Sequence, residues 1–345
     1  METPEYLKPY LTKVIQYQDL SLEEAEAAMS IIMSGQATPA QIAAYLVALR
    51  MKGETVSEIV GSAKAMRAAA EKVNLTPGRP IVDVVGTGGD STHSFNISTA
   101  AAFVVAAAGQ RVAKHGNRAV SSQCGAADVL LALGANLDLT PEQVGEVIEE
   151  TGIGFLFAPK FHPAMKYAIA PRRELGQRTI FNLLGPLTNP AQATHLLVGV
   201  YDPQLTEIFT EVLKGLGGQA AYVVHSQGGY DELTTIGKNR ISQLKDGKVT
   251  TFEFDPLELG LRPANQADLR GGTPAENATR MRALFSGKDT SILRDVILLN
   301  AAAALALCDH FDIQLGYQYA KEALDSGGAL EKLESFVQMT QQIGK

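Results

Sequence analysis

Ile81-Val82-Asp83-Val84-Val85-Gly86-Thr87-Gly88-Gly89-Asp90 is the stretch on which the fold turns. Five residues rich in strand formers run into a glycine cluster, and Asn96-Ile97-Ser98-Thr99 then opens an Ala-rich segment. That order reads as strand, tight loop and helix. Short apolar runs recur at 154–157, 196–200 and 220–224, separated by helical segments at 141–150 and 204–215. Strands alternating with helices predict an α/β fold whose central sheet is mostly parallel. Late in the chain the pattern changes. Ile241-Ser242-Gln243-Leu244 and residues 249–254 flank Lys245-Asp246-Gly247-Lys248, a hairpin signal.

Upstream of the decisive stretch, residues 6–71 are helical in pattern. Ala25, Met29 and Ile32 share one face, as do Ile42, Tyr45, Leu46 and Leu49. Ser21 with Glu24 forms a capping box, and Thr38 precedes a proline at the first helical position. Three or four short helices in a bundle follow, with more apolar face than so few helices can hide, so a covering surface such as a second subunit is expected. From Pro274 onward the sequence reads as helices capping the sheet.

A chain of 345 residues accommodates a large α/β unit and a smaller companion. Hydrophobic residues make up 46% but aromatics only 6%, without Trp, so Ala, Val, Leu and Ile must build the core. A net charge of −7 argues against phosphate-backbone binding as the main role, so no nucleic-acid partner is expected. Cys124 and Cys308 lack metal-ligand spacing and read as reduced thiols. The first eight residues lack the features of a signal peptide, and the apolar run 297–308 is broken by Asn300. It falls short of the roughly 20 residues of a spanning helix. A cytoplasmic location with no membrane partner is expected.

Four groups of residues carry chemistry. Gly86-Thr87-Gly88-Gly89-Asp90 lies at a strand end just before a helix start, where glycine-exposed amides and the helix N-terminus suit a phosphate. Taken alone, such a loop equally packs helix on sheet, and Asn96 equally serves as an N-cap. Lys114-His115-Gly116-Asn117-Arg118-Ala119-Val120-Ser121-Ser122 is dense in donors, though charged loops are common. Asp231-Glu232, after Gly228-Gly229-Tyr230, suits Mg²⁺, but in a chain with 37 acidic residues an adjacent pair is more often solvated surface. Last come Phe161-His162-Pro163-Ala164-Met165-Lys166, the run 172–182, and Gly185-Pro186-Leu187-Thr188-Asn189-Pro190. There Arg172 could fork onto a carboxylate, Arg173 and Arg178 read equally as solvated or salt-bridged helix residues, and the Gly-Pro-Leu segment reads as architecture.

Together these motifs, in this order and over nearly the whole chain, closely resemble anthranilate phosphoribosyltransferases. The resemblance implies a fold of the class III nucleoside phosphorylase/phosphoribosyltransferase type: a small helical domain at 1–74, joined by part of 160–185, and a large α/β domain at 75–345. It implies a cytoplasmic, Mg²⁺-dependent enzyme of tryptophan biosynthesis, usually a homodimer through the helical domain. Phosphoribosyl pyrophosphate would be held by Gly86, Gly89, Asp90, Ser94, Asn96, Ile97, Ser98, Thr99, Lys114, His115, Gly116, Asn117, Arg118, Ala119, Val120, Ser121 and Ser122. Anthranilate would meet Gly86, Asn117, His162, Pro163 and Arg172, and Ser98, Asp231 and Glu232 would hold the metal, expected as two Mg²⁺ ions with the pyrophosphate. No general base is assigned, because an aromatic amine is already neutral at pH 7. Ala126 stands where many relatives have serine, and Pro171 sits directly before Arg172 where relatives more often have it one place earlier. Pyrimidine nucleoside phosphorylases share the implied fold but differ in these loops, and the acidic balance counts against a nucleic-acid-binding relative.

Overall fold

The computed structural model describes residues 6–90, 92–119, 123–308 and 312–344. Four helices come first: α1 (Lys8–Ile15), α2 (Leu22–Met33), α3 (Pro39–Lys52) and α4 (Val56–Ala68). The capping boxes are formed: Ser21 with Glu24 starts α2, and Thr38 with Gln41 starts α3 behind its proline. Thereafter β1 (Val82–Gly86), α5 (Ile97–Ala107), β2 (Val112–Gly116), α6 (Ala126–Ala132), α7 (Pro141–Thr151) and β3 (Ile153–Phe157) alternate. Next are α8 (Ala158–Phe161), α9 (Lys166–Leu175), α10 (Phe181–Leu184), β4 (His195–Gly199), α11 (Leu205–Gly215) and β5 (Ala220–Ser226). The hairpin β6 (Asn239–Lys245) and β7 (Lys248–Phe254) follows, then α12 (Gln266–Leu269), α13 (Pro274–Phe285), α14 (Ile292–Cys308), α15 (Ile313–Asp325) and α16 (Gly328–Ile343).

The seven strands form one sheet in the order β3-β2-β1-β4-β5-β6-β7. The first five run parallel to one another, β6 pairs antiparallel to β5, and β7 antiparallel to β6. Asp246 and Gly247 take positive φ at the hairpin turn (51° and 71°), the conformation a two-residue turn needs to match strand twist. The five parallel strands are buried on both faces, the edge strand β7 is largely exposed, and the side chains of β4 and β5 alternate between two cores. Leu197, Tyr222 and Val224 join α5 and α14 on one side, while Leu196, Val198, Ala221 and Val223 join α11 and the N-terminal helices on the other. Fully burying each of these Leu and Val side chains contributes about 1.5–3 kcal/mol. The apolar surplus of the N-terminal helices is thus partly covered within the chain, and Arg67 of α4 secures the junction by donating to the Leu187 and Leu216 carbonyls (2.7 and 3.3 Å). Tyr6, Ile15, Tyr17, Met51 and Ile169 still lie more than half exposed. Residues 297–308 belong to the buried helix α14, and among the described residues no single helix is long and apolar enough to cross a membrane.

Candidate active site

Strands β1 and β4 are neighbours in the sheet, yet the helix after β1 packs on one face and the helix after β4 on the other. The loops leaving their carboxyl ends must therefore part, which opens a crevice at the reversal of strand order. Gly86 and Gly199 end the two strands as a paired register. β1 runs one residue later and β4 one residue earlier than the apolar runs that marked them in the sequence, each ending at its glycine.

Both glycines are demanded by one residue. A Cβ on Gly199 would lie 1.4 Å from the main-chain oxygen of Asp231, and a Cβ on Gly86 would lie 2.4 Å from its Oδ2. Asp231 therefore crosses the ends of β1 and β4, and its Oδ2 accepts the Gly88 amide at 2.7 Å. Its neighbour Glu232 accepts from the Ser94 hydroxyl at 3.2 Å. The following residue is clamped from behind: Asn300 accepts from Leu233 N and donates to Leu233 O (3.1 and 2.7 Å). The one polar residue in the apolar run 297–307 of α14 thus anchors the Asp-Glu loop.

The electrostatics are out of balance. Burial raises the pKa of both Asp231 and Glu232, and the nearby Asp90 adds to the rise of each. Lys114, buried on β2, donates to Val84 O (2.5 Å) and to the Ser98 hydroxyl (3.4 Å). Burial lowers its pKa, against the opposing pull of Asp83, Glu232 and Asp231. Asp83, fully buried in β1, is pushed up to about 6 by burial, although Lys114 and bonds from Asn189 Nδ2 (2.7 Å) and His115 N (3.2 Å) favour its charge. Carboxylates outnumber the single buried ammonium, so a cation at Asp231 and Glu232 would relieve the crowding. The described residues contain no group of three or more His, Cys, Asp or Glu set to hold a metal. Two carboxylates and the Ser98 hydroxyl instead fit Mg²⁺, which completes its shell with water and substrate phosphate oxygens.

The remaining residues surround this centre. Gly88 and Gly89 take positive φ (65° and 75°), and Asp90 accepts from the Thr92 amide and hydroxyl (3.2 and 2.5 Å). Asn96 precedes α5 without capping it. Its side chain instead donates to Cys124 O and accepts from Asn277 (3.1 and 2.9 Å), tying the loop after β1 to that after β2. Ile97 and Thr99 are buried in α5. Gly116 packs against Phe155, where a Cβ would lie 2.7 Å from the ring. Asn117 and Arg118 are exposed on the loop after β2, and Asp128 holds that loop by accepting from Ala119 N and Gly125 N (2.9 and 3.0 Å). Val120, Ser121 and Ser122 lie outside the described residues.

The His115 side chain turns away from the glycine loop, towards Gly185 O (3.2 Å) and the His162 ring, 5.1 Å between centroids. Burial lowers His115 to about 3 and His162 to about 4, so both are neutral, and neither Nε2 has a partner among the described residues. Pro163 opens a short turn that leads into α9. There Arg172 is half-buried with its guanidinium 5.0 Å over the Phe181 ring, and Pro171 sits inside the helix. Arg178 lies beyond α9, exposed and without a salt bridge among the described residues: it bonds the Gly89 carbonyl and lies 3.9 Å over the Tyr201 ring.

Sequence reasoning passed over Asp83, Gly199, Asp128 and Asn300, and read Asn189 only as architecture. A buried carboxylate within a strand is a usable signal for Asp83. The others depend on partners distant in sequence.

Two family models match, described as the glycosyl transferase family helical bundle domain over residues 8–70 and the glycosyl transferase family a/b domain over residues 78–330. The anthranilate phosphoribosyltransferase of Moorella thermoacetica is 54% identical over 96% of this chain and 97% of its own. That of Desulfosudis oleivorans is 50% identical over 97% and 98%. Among solved structures, the Thermus thermophilus enzyme of that name superposes with a TM-score of 0.91 at 44% identity, covering 96% of this chain and 99% of that one. The Saccharomyces cerevisiae enzyme in complex with PRPP and Mg gives 0.89 at 29% identity, covering 97% and 98%.

Proposed function

The chain belongs to the anthranilate phosphoribosyltransferase family, and on that premise we infer how its own residues carry out the transfer. The reaction moves the 5-phosphoribosyl group from phosphoribosyl pyrophosphate to the amine of anthranilate, giving N-(5-phosphoribosyl)anthranilate and pyrophosphate in tryptophan biosynthesis. It is an Mg²⁺-dependent pentosyl transfer.

The observation that carries the assignment of roles is Asp231 lying across the ends of β1 and β4, against Gly86 and Gly199. The donor is read as lying over this crevice, on the glycine turn, the Ser94–Thr99 segment and the loop from Lys114. Ser98, Asp231 and Glu232 would hold Mg²⁺, read as two ions, whose chemistry is to neutralise the departing pyrophosphate. Lys114, fixed by Val84 and Ser98, adds a positive charge beneath it. Displacement at the anomeric carbon passes through an oxocarbenium-like state, so preorganised charge and alignment supply the rate. Anthranilate is placed on the other side, with its carboxylate towards Arg172 and its ring approached by Asn117, His162 and Pro163. The neutral His115 and His162 pair then avoids competing with Arg172 for that carboxylate. The incoming amine needs no general base before attack.

The chain is further read as a helical domain (1–74, with part of 160–185) and an α/β domain (75–345), a division supported by the separate spans of the two family models. The exposed apolar side chains of α1, α3 and α9 support a homodimer through the helical domain. A cytoplasmic setting without nucleic-acid or membrane partners completes the reading. The metal assignment is tested by titrating Mg²⁺ against the rate for Asp231→Asn/Glu232→Gln. The double variant should lose most activity at saturating Mg²⁺, and full activity would sink the assignment.

A further inference from the structure

The Gly86–Asp90 turn contains two consecutive glycines in the left-handed region. With no Cβ to penalise alternatives, its peptide planes could flip at little cost, yet a phosphate site needs its amides aimed. Three planes are tied down. Thr87 N donates to Gly199 O (2.9 Å), Gly88 N donates to Asp231 Oδ2 (2.7 Å), and Gly89 O accepts from Arg178 Nη2. The first two ties come from the α/β side. The third comes from a segment rooted among the N-terminal helices, since α9 packs on α2 and α3 while Ile180 and Phe181 lie in their core.

Arg178 is exposed, but its position is set on two sides. Its guanidinium lies 3.9 Å over the Tyr201 ring, and Tyr201 N donates to the Thr87 hydroxyl of the same turn (3.3 Å). A planar guanidinium stacked on an aromatic face keeps its N–H groups free for an acceptor in its own plane, which an ammonium cannot reproduce. In a trans peptide the carbonyl and the next N–H point in opposite directions, so holding Gly89 O towards Arg178 turns the Asp90 amide to the far side.

We propose that Arg178, braced by Tyr201, is a positioning residue for the phosphoribosyl donor: it fixes the Gly89–Asp90 peptide plane and couples the turn to the segment that carries Arg172. The inference rests on the donor site proposed above. Losing an exposed charge-assisted bond of this kind should raise the donor KM about tenfold. The anthranilate KM should stay within about twofold, because Arg172 and its Phe181 contact are left in place.

The test measures both KM values and the melting temperature for wild type, Arg178→Ala, Arg178→Lys, Tyr201→Leu and the Arg178→Ala/Tyr201→Leu pair. Expected are a selective rise in donor KM, an unchanged melting temperature, a Lys variant nearer to Ala than to wild type, and a double variant little worse than Arg178→Ala. An unchanged donor KM, or equal rises in both KM values with a lowered melting temperature, would overturn the inference while leaving the donor site standing. A wild type that consumes no donor would overturn both.

Discussion

Gly199→Ala isolates the geometric core of the site. The new methyl would begin 1.4 Å from the Asp231 carbonyl oxygen, and real Cβ atoms essentially never approach closer than 3.0 Å, so the two must separate by about 1.6 Å. The obstruction is main chain, not the end of a flexible side chain. It sits between a strand locked on both sides by parallel partners and a loop clamped at Leu233 by Asn300. The loop is the softer of the two, so Asp231 should move, loosening its bond to Gly88 and carrying Glu232 with it. Misplacing a catalytic group by about 1 Å can cost about 100-fold in rate, so kcat/KM should fall at least about 100-fold, equivalent to about 2.7 kcal/mol of transition-state stabilisation. The Mg²⁺ concentration for half-maximal rate should rise in parallel. Steady-state kinetics over an Mg²⁺ series, with circular dichroism to confirm a folded variant, reads both effects. A folded Gly199→Ala enzyme with kcat/KM within about threefold of wild type would refute the claim that Asp231 must lie across these strand ends.

Three further outcomes follow from the same geometry. Asp83→Asn keeps one acceptor oxygen where Asn189 Nδ2 and His115 N each bond a separate carboxylate oxygen, and the buried donor left unpaired costs about 1–3 kcal/mol, so the urea midpoint should drop; an unchanged midpoint would contradict the role given to Asp83. His115 and His162 stay neutral in the fold at a pH where unfolded histidine, near 6.5, takes up a proton, so their contribution to stability is full above about pH 6.5 and drains as pH falls towards 4. Wild type should therefore lose stability relative to His162→Asn between pH 7 and 4.5 in urea unfolding, and a constant difference would show that His162 is not held neutral. Arg172→Ala should raise the anthranilate KM more than the donor KM; equal effects would remove its carboxylate role.

The sequence makes the α/β architecture legible because its signals are local: a β-rich run ending in glycines, capping boxes at Ser21 and Thr38, and a hairpin turn at Asp246-Gly247. The glycine turn after β1 is legible for the same reason, whereas the Asp-Glu pair on its own reads as solvated surface, and only the fold buries Asp231 against Gly86 and Gly199. What escapes is tertiary. Gly199 looks like any strand-terminal glycine until Asp231 is laid against it. Asn300 reads as a blemish in an apolar helix, because its partner Leu233 lies 67 residues away. Asn96 has the chemistry of an N-cap and is recruited instead by Cys124 and Asn277, since joining the loops after β1 and β2 satisfies both its amide nitrogen and its carbonyl oxygen. Arg178 sits in a charged run where local pattern points to solvent, and only the fold brings Gly89 and Tyr201 to it.

The central claim is tested most directly by following anthranilate fluorescence in a mixture of the protein, phosphoribosyl pyrophosphate and Mg²⁺, with parallel samples lacking the donor or containing a chelator. The account predicts a loss of fluorescence that requires the donor and stops with the chelator. Folded protein that leaves anthranilate unconsumed in the complete mixture would contradict it.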